Sequence, residues 1–187
     1  MKKIILIFLC ILFLQLSVSA QENPFRIGIK FGIPNIASLN LEYVTPLLNN
    51  SLATTLDFSS FSIKIEENEI SFSYVELGGN YYFLNEGKGP YTNLSLGRFG
   101  FKGNYEDALY GSGKIETGIG LINLKLGGKF GNIFYFRPEI GYGFILGGSK
   151  LEVEYTDSSD NSIFTNKIES PSFLSSLAVN FGFGLSF

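Results

Sequence analysis

The sequence predicts an all-β chain folded as an eight-stranded antiparallel up-and-down transmembrane β-barrel, and three observations predict it. The first is the stretch from Phe173 to Phe187, where Phe173, Leu177, Val179, Phe181, Phe183, Leu185 and Phe187 all stand on odd positions. Between them lie Leu174, Ser176, Ala178, Asn180, Gly182, Gly184 and Ser186, mostly small or polar. Side chains alternate across a strand, so one face is greasy and the other small and polar. The second is that alternation recurs along the chain while no helical periodicity survives past residue 20. The third is composition: 22 Gly and 19 Phe in 187 residues suit many strands with small residues inside a narrow barrel. In water such a greasy face invites aggregation. In a bilayer it is the lipid side of a closed sheet, the only sheet that satisfies its backbone there.

Met1 to Ala20 reads as a secretory signal. Lys2 and Lys3 form the charged start, Ile4 to Leu16 the apolar core and Val18-Ser19-Ala20 the cleavage site. The apolar run is short of the ~20 residues that an anchor needs, and Cys10 lies too early for a lipoprotein attachment. Cleavage leaves one domain, residues 21–187, without cysteine and with 12 basic against 17 acidic residues. That balance offers no basic face for nucleic acid.

Strand one is Phe25 to Ile33, with Phe25, Ile27, Ile29, Phe31 and Ile33 outward and Arg26, Gly28, Lys30 and Gly32 inward. After a turn at Pro34-Asn35, Leu39, Leu41 and Tyr43 face out opposite Asn40 and Glu42. Pro46 to Ser51 turns the chain into strand three, where Leu52, Thr54, Leu56 and Phe58 face out and Asp57 in. At Ser59-Ser60 the phase changes, and Phe61, Ile63 and Ile65 become the apolar positions. Strand four mirrors this, with Ile70, Phe72 and Tyr74 apolar first, then Leu77, Tyr81 and Phe83. A turn at Glu67-Asn68 would pair 65 with 70, 61 with 74 and Leu52 with Phe83. Strand five follows the turn Asn85 to Gly89, with Leu94 and Leu96 outward, then Phe99 and Phe101 on the other parity. Gly103 to Gly113 reads as a loop. Strand six carries Ile115, Ile119 and Leu121, then Leu124, Leu126 and Phe130, before a tight turn at Gly131-Asn132. In strand seven Phe134, Phe136, Ile140, Tyr142, Phe144 and Leu146 face out, and Tyr135, Arg137 and Glu139 face in. Leu151, Val153 and Tyr155 are again switched, and a polar tip at Asp157 to Asn161 leads to the last strand.

The signal, the eight alternating segments, the terminal Phe187 and the phrase YFRPEIGYGF at 135–144 together resemble the outer-membrane β-barrel domain family, the barrel half of OmpA-type proteins. The resemblance spans nearly all of the mature chain, and the peptidoglycan-binding domain of larger relatives is missing. It implies a Gram-negative outer-membrane location, with outer-membrane lipid around a monomer and no cofactor. It also implies that barrel-assembly machinery reads the last strand through Phe187. Both termini and the turns at 46–51, 85–89 and 131–132 then fall on the periplasmic side. The loops near 34–38, 66–69, 103–113 and 156–162 are extracellular.

Two interior regions carry the functional argument. The lower lumen gathers Arg26, Lys30, Lys125, Lys129 and Arg137 with Glu42, Asp57, Glu76 and Glu139. Their alternatives are a solute path or a paired plug. The plug is favoured because buried charges persist when paired and because an eight-strand barrel is filled by its own side chains. Higher up, the parity switch turns Phe61, Ile63, Ile65, Phe72, Phe99, Phe101, Ile119, Leu121, Val153 and Tyr155 inward, provided that the strands pass the membrane surface without bulges. These residues form either a packed core under protruding hairpins or a vestibule for a lipid or other hydrophobic small molecule. The chain has no histidine, which removes the histidine-dependent acyltransferase, lipase and protease sites. The carboxylates of Glu66, Glu67 and Glu69 and of Asp157 and Asp160 read as solvated tips, since one flexible tip fixes too few ligands for calcium. The expectation is a non-enzymatic barrel with a structural or surface-interaction role. The alternative is a carrier or receptor for a hydrophobic ligand.

Overall fold

The computed structural model describes residues 23–65, 68–84, 86–107, 111–147, 150–156, 163–169 and 177–187. The leader at 1–20, Phe173 and Leu174, the tip residues Glu66 and Glu67, and the tip at 157–161 lie outside them. Ten strands follow in chain order: β1 (Phe25–Ile33), β2 (Ile36–Val44), β3 (Leu52–Ile65), β4 (Asn68–Leu84), β5 (Lys88–Asp107), β6 (Gly111–Lys129), β7 (Phe134–Gly147), β8 (Lys150–Thr156), β9 (Ile163–Glu169) and β10 (Leu177–Ser186). Eight of them close an antiparallel barrel, running from β1 through β7 and then to β10, which returns to β1. The closing seam pairs Arg26 with Ser186 through to Ile33 with Val179. It is extended by reciprocal backbone bonds between Phe25 and Phe187 at 3.0 and 2.9 Å. This is the closed eight-stranded, all-antiparallel barrel that the alternation predicts.

The remaining two strands arise because the last two alternating segments each divide. The β6–β7 ladder shifts register between Gly120 and Leu121. Above that point β8 takes over as the neighbour of β6, pairing Ser112 with Thr156 through Glu116 with Glu152, and β9 pairs with β8. On the other side β2 pairs with β3 only as far as Phe58. From Ser59 to Ile65, β3 therefore has β4 as its sheet neighbour among the described residues. The described residues form a closed barrel below and a sheet above whose edges are β3 and β9.

Two details of the sequence reading are corrected, and the alternative it leaves open at Ser59-Ser60 is decided. The β3–β4 register is two residues from the expected one, with Ile65 opposite Asn68, Phe61 opposite Phe72 and Leu52 opposite Tyr81. A shift of two keeps every side chain on its face, so hydrophobic pattern could not distinguish the two. The stretch 103–113 is largely strand: Gly103 pairs with Ile115 and Asp107 with Gly111. The phase change at Ser59-Ser60 is a change of residue chemistry and not of backbone. In β3 the odd positions Ala53, Thr55, Asp57, Ser59 and Phe61 point inward without interruption, and the β3–β4 ladder runs unbroken past them.

Burial is inverted relative to a water-soluble domain. Among the described residues, buried polar side chains outnumber buried hydrophobic ones, and the large hydrophobics lie mostly on the outside, up to 79% exposed at Phe134. The outward row of β1 runs from Phe25 to Ile33 over nine residues. At the lower end, Gly131 sits at φ 101, where a Cβ would meet the Phe134 carbonyl oxygen at 2.1 Å. Only glycine makes that turn without strain.

Candidate functional site

Inward positions of six strands bring the nine predicted lumen charges into one buried layer, as the alternation requires. Arg26, Lys30, Glu42, Asp57, Glu76, Lys125, Lys129, Arg137 and Glu139 are all buried. Glu42 is the hub of the lower half. It is paired with both Arg26 and Arg137, and it accepts from Tyr82 Oη at 2.8 Å and Asn80 Nδ2 at 3.2 Å. Arg137 also donates to Asn40 Oδ1 at 3.1 Å and to Tyr82 Oη at 3.2 Å. Its guanidinium lies 5.5 and 5.1 Å from the Tyr91 and Tyr135 ring centroids.

The upper half is built around two lysines. Lys30 Nζ lies 2.9 Å from Asp57 Oδ2 and 3.0 Å from Glu139 Oε1. Lys125 is paired with Glu76 and lies 3.8 Å from Glu139 Oε2. Asn123 Nδ2 donates to Glu76 Oε2 at 2.8 Å and to Tyr74 Oη at 3.0 Å, and the Tyr74 hydroxyl donates to Glu76. Asn40 Nδ2 donates to Asp57 Oδ1 at 2.6 Å. Each carboxylate thus meets at least one cation and one neutral donor, the condition under which buried charge is tolerated. Lys129 departs from the expected pairing: its Nζ donates to the carbonyls of Gly131 at 3.1 Å and Asn132 at 3.5 Å. Tyr82 and Tyr91 are the lumen residues that residue type alone conceals. Their parity with Asn80 and Asn93 marks them as inward, and both are fully buried.

Directly above the charges the interior becomes apolar. Phe72, Tyr74, Phe99, Ile119 and Leu121 form one buried cluster, with Phe61, Phe101 and Ile145 packed against it. Phe72 meets Phe61 in a stacked arrangement at 5.0 Å and Phe99 edge-on at 4.9 Å, both favoured aromatic geometries. Ile63 departs from the expectation of cover. It is 52% exposed, and among the described residues its strand has no neighbour on the β2 side at that level. The side chains of Ile65, Val153 and Tyr155 lie outside the described residues, although Val153 pairs with Ile115 through the backbone.

The outside changes at the same level in the opposite sense. Leu56, Leu77, Leu96 and Ile122 form one rung of paired outward residues. Four residues higher, the paired outward positions are Ser60, Ser73, Gly100 and Gly118. Higher still on the outer face, Glu116 lies 2.8 Å from Lys102 and 3.2 Å from Lys114. Hydrogen bonds from these two lysines hold its carboxyl below the usual carboxylate range.

No family model matches the chain, and no curated protein sequence does. Solved structures do match. A major outer membrane protein from Thermus thermophilus superposes with a TM-score of 0.50 at 9% identity, over 87% of this chain and 98% of that one. Acinetobacter baumannii CarO matches with a TM-score of 0.45 at 10% identity, over 90% of this chain and all of that one. At 9% identity the Thermus likeness is one of fold, and the fold it shares with this chain is the closed antiparallel barrel.

Proposed function

We propose that the chain is a non-enzymatic outer-membrane barrel with a structural or surface-interaction role, its lumen closed by paired charges and its upper sheet standing clear of the bilayer. One observation carries this reading: at a single level the outside passes from apolar to polar while the inside passes from polar to apolar. A bilayer surface at that level accounts for both changes, because below it the outside is lipid and above it the outside is water. The nine-residue outward row of β1 matches the ~9–11 residues of a tilted spanning strand. The short turns then lie in the periplasm and the longer β3–β4 and β5–β6 hairpins outside the cell, the usual asymmetry of such barrels. The packing of Phe72, Phe99, Ile119 and Leu121 against one another supports a stiffening core over a ligand vestibule. The lumen network supports a plug over a solute path.

Two measurements test this proposal together. The protein should fractionate with outer membranes and migrate faster on a gel unheated than boiled. Reconstituted in planar bilayers, it should show no large, steady single-channel conductance. A soluble periplasmic fraction with identical migration would overturn the location, and a steady large conductance would overturn the plug.

A further inference from the structure

The charge balance of the lumen breaks at its lower mouth. Arg26, Lys30, Lys125 and Arg137 each meet a carboxylate. Lys129, buried beside them, meets carbonyl oxygens and the Tyr135 ring at 5.1 Å. A pocket of about 240 Å³ opens there, lined by Arg26, Lys88, Lys129, Asn132, Ile133 and Ser186 together with Asn23. Three of these residues are cations and none is a carboxylate. The volume is many times the roughly 10–15 Å³ that one water needs.

Two residues that line it each have a buried donor left unspent among the described residues. Arg26 uses one terminal nitrogen on Glu42 and Tyr82, while its Nε has no hydrogen-bond partner among the described residues. Ser186, 5% exposed, has an Oγ without a hydrogen-bond partner among the described residues. Buried donors without acceptors are rare in folded proteins and ask for a reason. The guanidinium is also held from beneath. Gly87, at φ 60, lies so close that a Cβ would come within 2.8 Å of Arg26 Nη2 and of Val44 Cγ2. The pocket is thus lined by a fixed guanidinium paired with Glu42, an ammonium that meets no carboxylate among the described residues, a hydroxyl without a partner among them, and Lys88, which Glu86 pairs at 3.1 Å. Such a donor set suits a tetrahedral oxyanion.

We propose that the lower mouth is a binding site for a phosphate group, carried either by free phosphate or by a lipid headgroup. Arg26 and Lys129 supply charge-assisted hydrogen bonds and Ser186 a neutral one, while Lys88 on the rim is already paired with Glu86. Exposed Ile133 on the same rim places the pocket beside the apolar belt, where a headgroup phosphate also arrives.

The test is a phosphorus NMR titration of inorganic phosphate into the refolded barrel in a maltoside detergent, which contributes no phosphorus signal. Saturable binding is expected. Lys129→Gln should weaken it about tenfold, since charge-assisted hydrogen bonds are the strong ones. Ser186→Ala should weaken it several-fold, and Lys102→Gln on the upper sheet should leave it unchanged. The unheated gel shift of each variant reports folding, and Ser186→Ala carries the test if Lys129→Gln does not fold. Competition with dihexanoyl phosphatidic acid separates the sources. Displacement at lower concentration than phosphate itself assigns a headgroup, and equal or weaker displacement assigns the free ion. Absence of saturable binding at millimolar phosphate overturns the site, as does equal affinity in wild type and both mouth variants.

Discussion

Replacing Glu139 by Gln tests the lumen network where it is most shared. The substitution keeps the shape of the side chain and removes one charge. Glu139 Oε1 faces Lys30 Nζ at 3.0 Å and accepts from the Tyr91 hydroxyl. Oε2 faces Lys125 Nζ at 3.8 Å and accepts from Asn180 Nδ2 at 3.5 Å. Losing one partner of a buried pair costs about 3–5 kcal/mol. Lys30 keeps Asp57 and Lys125 keeps Glu76, so the loss should fall at the lower end, near 3 kcal/mol. That is roughly a hundredfold in the folding equilibrium. The assay is equilibrium urea unfolding in lipid vesicles, followed by the unheated gel shift and by circular dichroism, with an unchanged denaturant slope required. Glu116→Gln is the control: its pairs with Lys102 and Lys114 are exposed, and such pairs contribute little. A midpoint as unmoved in Glu139→Gln as in the control would refute the buried-network argument.

Two further outcomes follow from the upper interior. Phe99→Ala, which removes the edge-on partner of Phe72, should lose about 3–5 kcal/mol in the same titration. Unchanged stability, with weakened binding of an apolar fluorescent probe, would instead show a pocket. In whole cells, single cysteines at Ser62 and Lys64 should react with a membrane-impermeant thiol reagent and one at fully buried Ile119 should not. Residues 21–187 contain no cysteine. Labelling at 119 with silence at 62 would show that the apolar face points outward.

Face assignment was legible in the sequence because lipid and lumen demand opposite chemistry, and a period of two reports that directly. Phe25 to Ile33 was bounded correctly for this reason, with Arg26 and Lys30 on the inner side. Register was not legible, because moving Phe61 from residue 74 to its true partner Phe72 leaves every side chain on its face. The strands past Gly103 were missed for a related reason. Gly103, Asn104, Gly111 and Ser112 pair through the backbone without an apolar alternation to mark them, as the proposed position above the bilayer would have it. The register shift at Gly120, above which β8 replaces β7 beside β6, is announced by no residue type. In the lumen the charges were legible from parity, but the roles of Tyr82 and Tyr91 were not, since tyrosine suits either face. That Lys129 meets no carboxylate among the described residues is a matter of distances that spacing does not set.

The most direct test of the account is whether lipid touches the outer belt and stops at the level where the interior turns apolar. The chain has no tryptophan, so single reporters work without background. Leu96 and Lys102 both face outward on β5, six residues apart, about 20 Å along the strand. In vesicles of brominated lipid the account predicts strong fluorescence quenching for Leu96→Trp and little for Lys102→Trp. Equal quenching at the two positions, or none at Leu96→Trp, would contradict it.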